Sequence, residues 1–373
     1  MMNPIHDLHK LGQSIWYDNI QRSLLTGGGM AQMVADGDIR GVTSNPSIFH
    51  NAIAKSSEYD DALVPLAKAG RSALEIYEAL AIADIQSATD IFRGLYDETG
   101  GADGYVSLEV SPYLAHNTRG TCEEARRLWG AVSRPNLMIK IPATKAGLPA
   151  ITETIAAGIN VNVTLIFSQA RYVEVMDAYL AGLERRMEAG KPVDRIASVA
   201  SFFVSRIDSK VDKALDAIVA AGGRNSELAG SLRGRMAVAN AKKAYQKHLE
   251  IFAKPRFQRL KAAGARTQRA LWASTSTKNP AYRDVMYVEE LIGPNTVNTV
   301  PPNTLEAFRD HGEARLTLAS GLAEAGQAFE ALRAVGISFS DVTQELEDEG
   351  VKAFADSFTA LLDAVETRRE AVG

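Results

Sequence analysis

Short apolar runs rich in β-branched residues recur along the chain, and each is followed by a longer stretch with helical spacing. The strand candidates are residues 15–18, 41–44, 105–110, 137–143, 161–167, 196–203, 269–275 and 296–300. Residues 168–187 and 205–221, after the fifth and sixth runs, typify the helical stretches. Strands alternating with helices imply parallel pairing, and eight such units predict an α/β fold of the closed (β/α)8 TIM-barrel type. The alternative is an open doubly wound sheet, but no dinucleotide-type glycine fingerprint follows the first strand. No linker rich in Pro, Gly or Ser divides the 373 residues, so a single domain is expected. Two stretches exceed a minimal barrel. Residues 222–266 read as a helical insertion between the sixth and seventh strands, with a basic helix-like run at 232–252. Residues 304–369 read as a helical extension ending in an amphipathic run, 341–366, with Val342, Leu346, Val351, Phe354, Phe358, Leu361 and Val365 as its apolar stripe. Such a tail packs across the barrel or onto a partner subunit, and monomer and homodimer both remain open.

Alternation within the strands separates two faces. Val106, Leu108 and Val110 oppose Ser107 and Glu109, and Val161, Val163 and Leu165 oppose Asn162 and Thr164. Helices would cover the aliphatic faces and leave the polar ones pointing into the barrel. Asp18, Asn45, Glu109, Lys140, Asn162, Thr164 and Ser201, from six strands, would then converge at the end where barrel enzymes place their chemistry. Lys140 stands out, because Leu137-Met138-Ile139-Lys140-Ile141-Pro142 is otherwise wholly apolar. Burying an unpaired ammonium is costly, so such a lysine finds a carboxylate or is neutral for part of its working life. A neutral buried amine attacks carbonyls, which points to Schiff-base chemistry. Plainer readings exist for its neighbours. Asn45 before Pro46 is an ordinary helix cap, Asp18 a turn residue, Glu109 a structural ion-pair partner, and Asn162 and Thr164 partners of each other.

Composition narrows the class. Hydrophobic content of 46% with 23% charged residues fits a soluble globular chain with a sizeable core. A net charge of -4 argues against nucleic-acid or anionic-membrane partners, while leaving room for a local basic pocket around a small phosphate. One cysteine, Cys122, cannot form an intrachain disulfide, which fits a reducing compartment. The first residues lack a basic region followed by an apolar one, and no apolar stretch approaches a membrane span, so a cytoplasmic location is expected. His6, His9, His50, His116, His248 and His311 form no metal-binding spacing, and no phosphate-binding glycine loop occurs; no metal and no cofactor are expected.

Four runs carry a resemblance: Thr43-Ser44-Asn45-Pro46-Ser47, Ile139-Lys140-Ile141-Pro142-Ala143-Thr144, Asn162-Val163-Thr164-Leu165-Ile166-Phe167-Ser168 and Ala200-Ser201-Phe202-Phe203-Val204-Ser205-Arg206-Ile207-Asp208. Together and in this order they resemble transaldolase, from about Ile15 to the C-terminal helix. The tail and the segment Trp272–Pro280 are similar to the longer bacterial branch. The resemblance implies an enzyme of the pentose phosphate pathway. It would move a dihydroxyacetone unit from a ketose phosphate (sedoheptulose 7-phosphate or fructose 6-phosphate) to an aldose phosphate (glyceraldehyde 3-phosphate or erythrose 4-phosphate). On the same resemblance Lys140 is the Schiff-base lysine, and Asp18 the acid/base that takes the C4 hydroxyl proton. Glu109 with Thr164 holds the water that shuttles protons during imine formation. Asn45 and Asn162 bind the dihydroxyacetone hydroxyls, Ser201 and Arg206 bind phosphate, and Phe203 belongs to the substrate-binding set.

The chain departs from the family in two places. Ser201-Phe202-Phe203 stands where Ser-Pro-Phe is frequent, and the second phosphate arginine has no clear counterpart, Lys278 lying nearest. An ammonium supplies a point charge without the guanidinium's bidentate fork. Two other functions compete: a Schiff-base aldolase that releases free dihydroxyacetone, and a barrel that binds sugar phosphate without turning it over.

Overall fold

The eight apolar runs form strands β1 (Gln13–Tyr17), β2 (Gly41–Val42), β3 (Tyr105–Glu109), β4 (Leu137–Pro142), β5 (Val161–Ile166), β6 (Ser198–Phe203), β7 (Arg269–Ala273) and β8 (Thr296–Val300). They come from a computed structural model that describes residues 3–54 and 56–372. Each strand pairs in parallel with its sequence neighbour, and β8 pairs with β1 from Gln13↔Thr296 to Tyr17↔Val300, closing the expected (β/α)8 barrel. Apart from Arg269 at the start of β7, every strand residue is buried, which suits a sheet covered by helices outside and filled by side chains inside.

Register fixes the inner layer. Glu109 lies beside Lys140, and Lys140 beside Asn162, on three adjacent strands. Pro142 pairs with Thr164 one step further up. In parallel strands paired residues point the same way, so the lysine, its carboxylate and the asparagine share the interior. Strand β5 then breaks step. The β5–β6 register shifts between Val163 and Ile166, and Leu165 adopts φ 59°. A branched residue in the left-handed region is a genuine outlier, and a bulge is how a strand end re-aims a side chain. Leu165, expected outward under the helices, instead reaches the C-terminal helix, its Cδ2 lying 3.0 Å from where a Cβ on Gly350 would sit.

The stretch 222–266 is helical, in three pieces: Ser226–Ser231, Met236–Phe252 and Pro255–Ala262. Its central helix packs against β7 and against the helix Gln169–Glu188, burying Met236, Ala237, Ala241, Ala244 and Tyr245. That is the place of a barrel-wall helix, so the supposed insertion supplies part of the wall. The helix directly after β6, Ser205–Ala221, packs on Ser226–Ser231, on Met236–Phe252 and on the C-terminal helix.

The tail forms helices Pro302–His311, Leu322–Ala334 and Phe339–Val372. The last runs 34 residues over the C-terminal end of the barrel, touching the helices Pro46–Ala54, Ala73–Ile91 and Ser205–Ala221 as well as β5. Phe354, Phe358, Leu361 and Val365 of the predicted stripe are buried. The Ser47–Ser357 hydrogen bond (2.8 Å) and the buried Arg171–Glu347 ion pair (3.1 Å) fix its position.

Candidate active site

A cavity of about 170 Å³ opens at the C-terminal ends of the strands, far more than the roughly 10–15 Å³ that seats one water. Of the expected site residues, Asp18, Asn45, Lys140, Thr164, Ser201, Phe203, Arg206 and Lys278 line it. A larger concavity at the opposite end surrounds Asp103, which is held between Arg40 (2.8 Å) and Arg269 (3.0 Å). Ion pairs at that face tie the barrel bottom together.

Lys140 is 4% exposed. Its Nζ donates to the backbone oxygen of Ser44 (3.1 Å), lies 3.5 Å from Glu109 Oε2 and sits 5.5 Å from the centre of the Phe354 ring. The lysine has therefore found its carboxylate. Glu109 stands just behind the cavity, and burial pushes its carboxyl up to about 7 against the pull of Lys140. A carboxyl in that range takes and gives protons near neutrality. Its Oε2 and the hydroxyl of Thr164 are both buried with no hydrogen-bond partner among the described residues, so each keeps capacity for a water or a reacting group.

Asp18 follows β1, anchored by its N–H on Val300 O (2.8 Å). Thr43 Oγ1 donates to Asp18 Oδ1 at 2.6 Å and lies 2.6 Å from Thr299 Oγ1. Burial raises the Asp18 carboxyl above the ordinary aspartate value, opposed by Lys140, Thr43 and Lys278. An acid so placed can accept a substrate hydroxyl proton and return it.

Asn45 takes the helix-cap reading and also lines the cavity. Its Oδ1 caps the helix Pro46–Ala54 by accepting from Ile48 N (3.0 Å), which leaves Nδ2 available to a ligand oxygen. Asn162 lies one layer down and does not line the cavity. It accepts from Ser201 Oγ (2.7 Å) and donates to Ser107 Oγ (3.0 Å), fixing the serine above it.

The basic end of the cavity is formed by Arg206, in the first turn of its helix, and Lys278, in the loop after β7. The Arg206 guanidinium lies 5.1 Å from the centre of the Phe203 ring, and Lys278 Nζ donates to Ser276 Oγ (2.6 Å). Neither cation has a carboxylate ion-pair partner among the described residues. Burial lowers both groups, and for Lys278 the nearby Arg206 lowers it further. Two unpaired cations beside a helix N-terminus have the chemistry that suits an anion.

Sequence reasoning missed several lining residues. Ser274 (φ 57°) and Ser276 sit at the end of β7, where the Ser274-Thr275-Ser276-Thr277 run was a usable signal. Phe354 roofs the cavity from the C-terminal helix, and nothing distinguished it from the other apolar residues of its stripe. Among the described residues, no group of three or more His, Cys, Asp or Glu could hold a metal ion, and no helix is long and apolar enough to cross a membrane.

Residues 15–365 match the family described as Transaldolase/Fructose-6-phosphate aldolase. The transaldolase of Frankia alni is 50% identical over 98% of this chain and 97% of its own length. Transaldolase 1 of Streptomyces coelicolor is 49% identical over 97% and 94%, and transaldolase 2 of Nostoc sp. 46% identical over 98% and 97%. These similarities run the length of the barrel, and the chain belongs to the transaldolase/fructose-6-phosphate aldolase family.

Proposed function

We propose that the chain is a transaldolase whose nucleophile is Lys140 and whose substrates are sugar phosphates handled in the cytoplasm. The observation that carries this reading is one buried lysine beside a near-neutral carboxylate, in a cavity with an acid/base aspartate at its side and unpaired cations at its far end. The free amine of Lys140 attacks the C2 carbonyl of a ketose phosphate whose phosphate rests on Arg206 and Lys278. The carbinolamine loses water as Glu109, with Thr164, supplies and removes the protons, and the product is a protonated imine. Asp18 takes the proton of the C4 hydroxyl. The C3–C4 bond breaks, its electron pair passes into the iminium as an enamine, and the aldose leaves. The acceptor aldehyde then enters, the enamine carbon attacks it, and Asp18 returns the proton to the new hydroxyl. Hydrolysis of the second imine frees Lys140.

The family description also covers fructose-6-phosphate aldolase, which keeps a second reading in view: release of dihydroxyacetone to water. The relatives near 50% identity are named transaldolases, which favours transfer. Turnover of fructose 6-phosphate with and without erythrose 4-phosphate separates the two. A transferase is slow without the acceptor, and equal rates would make the chain an aldolase. A barrel that only bound sugar phosphate would show no turnover in either case.

A further inference from the structure

The phosphate end of the cavity is supported by contacts that the reaction itself does not use. Helix Ser205–Ala221 carries Arg206 in its first turn and, further along, the aspartates Asp208 and Asp212. Both carboxylates are buried, yet among the described residues neither has a cation as a direct partner. Asp208 accepts from Ala237 N (2.7 Å) and Tyr287 Oη (2.8 Å), and Asp212 from Gly234 N (3.0 Å) and Tyr282 Oη (2.7 Å). The two tyrosines flank the far side of the segment that leads from β7 through Ser276 and Lys278. Gly234, with φ 67°, lies under the Tyr282 ring so closely that a Cβ there would come within 2.8 Å of it.

Two buried carboxylates are an expensive way to pin a loop, since apolar packing would hold it at lower cost. What they add is a unique geometry. Tyr282 is four residues beyond Lys278, a span of at most about 14 Å, so the anchor restricts where the ammonium can reach. Ser276 holds the other side of Lys278.

We infer that helix Ser205–Ala221 sets the phosphate clamp as one unit, presenting Arg206 directly and Lys278 through the Tyr282–Asp212 and Tyr287–Asp208 hydrogen bonds. Tyr282, Asp212 and Asp208 are then positioning residues for the phosphate of the substrate, and the 232–237 turn serves the site by seating Tyr282. The inference rests on the reading of Arg206 and Lys278 as phosphate ligands. It also explains how a lysine, lacking a guanidinium fork, is held well enough to do that work.

The test compares the full-length protein with Tyr282→Phe, Asp212→Ala, Asp212→Asn and Lys278→Ala, using fructose 6-phosphate with erythrose 4-phosphate. Unphosphorylated dihydroxyacetone serves in parallel for borohydride trapping. Tyr282→Phe and Asp212→Ala should raise KM for fructose 6-phosphate about tenfold, as expected for roughly 1.4 kcal/mol of lost binding, with kcat within about twofold. Asp212→Asn, whose oxygen can still accept from Gly234 N while its amide donates to the Tyr282 hydroxyl oxygen, should stay near the parent. Trapping of dihydroxyacetone, which has no phosphate to place, should be unchanged in the Tyr282 and Asp212 variants. An unchanged KM in Tyr282→Phe, alongside a raised KM in Lys278→Ala, overturns the inference and leaves the transaldolase reading intact. Equal slowing of dihydroxyacetone trapping overturns it too, because the contacts would then serve the fold at large. Tyr282→Phe, which removes the same hydrogen bond from the other side, decides the matter if Asp212→Ala does not fold. Parent protein that forms no imine with either ketose overturns the functional reading itself.

Discussion

At the scale of single residues, the proposed chemistry uses two carboxyls, Glu109 and Asp18, that burial raises above the ordinary carboxylate range. Glu109, raised to about 7 by burial, is a carboxylate above that pH and an acid below it. The rate of imine formation, followed by stopped trapping with borohydride, should therefore change steeply through pH 7. Glu109→Gln should flatten that profile and slow the step by about 10²–10⁴, the usual share of a positioned acid/base. A Glu109→Gln profile that kept its inflection would assign the proton shuttle elsewhere. In the proposed mechanism Asp18 acts later. Asp18→Ala should still form the imine with fructose 6-phosphate but slow C3–C4 cleavage by about 10²–10⁴, as read by quenched-flow release of aldose. Equal loss of both steps would make Asp18 a structural partner of Thr43. Much of this site was legible because a polar residue on an otherwise aliphatic strand has few explanations, and Lys140 had the fewest. Asn162 shows the boundary of such reading. Alternation places it inside the barrel, but its two hydrogen bonds to Ser107 and Ser201 belong to a layer that only the closed barrel defines.

At the scale of elements, period-two patterning located all eight strands because each is buried on both faces or alternates cleanly. It failed at Leu165, where φ 59° turns the side chain from the outer layer toward the C-terminal helix. A bulge is a tertiary solution, made favourable by the helix that lies over it, and no residue in β5 announces it. The wall helix was misplaced for a similar reason. Two amphipathic helices follow β6, and only long-range packing decides that Met236–Phe252 covers the barrel while Ser205–Ala221 lies against the C-terminal helix. That last helix brings Phe354 over Lys140 through the close approach at Gly350. Gly350→Val would force a branched side chain toward Leu165. It should destabilise the protein by about 1–3 kcal/mol, the usual cost of overpacking, and raise hydrogen exchange along the helix. Unaltered exchange there would show that the helix does not depend on this contact.

At the scale of the whole molecule, the barrel closes by continuous pairing of β8 with β1, and its two ends differ in kind. The N-terminal end is tied by Arg40, Asp103 and Arg269, whereas the C-terminal end holds carboxyls at a cost to stability. Burial raises Asp208 from an ordinary 3.8 to about 7. A carboxyl raised in the folded state favours folding below its unfolded pKa, and that contribution is lost as pH rises through the folded value. Thermal unfolding midpoints should therefore fall between about pH 4 and pH 7 from this source, and Asp208→Asn should make the fall shallower; parallel curves for the two proteins would remove Asp208 from the account. The proposed chemistry turns on one amine, that of Lys140. Incubating the protein with fructose 6-phosphate, reducing with borohydride and mapping the peptides should place a three-carbon adduct on Lys140, absent in Lys140→Ala. Adduct on another lysine, or none while the protein turns over substrate, would contradict the central claim.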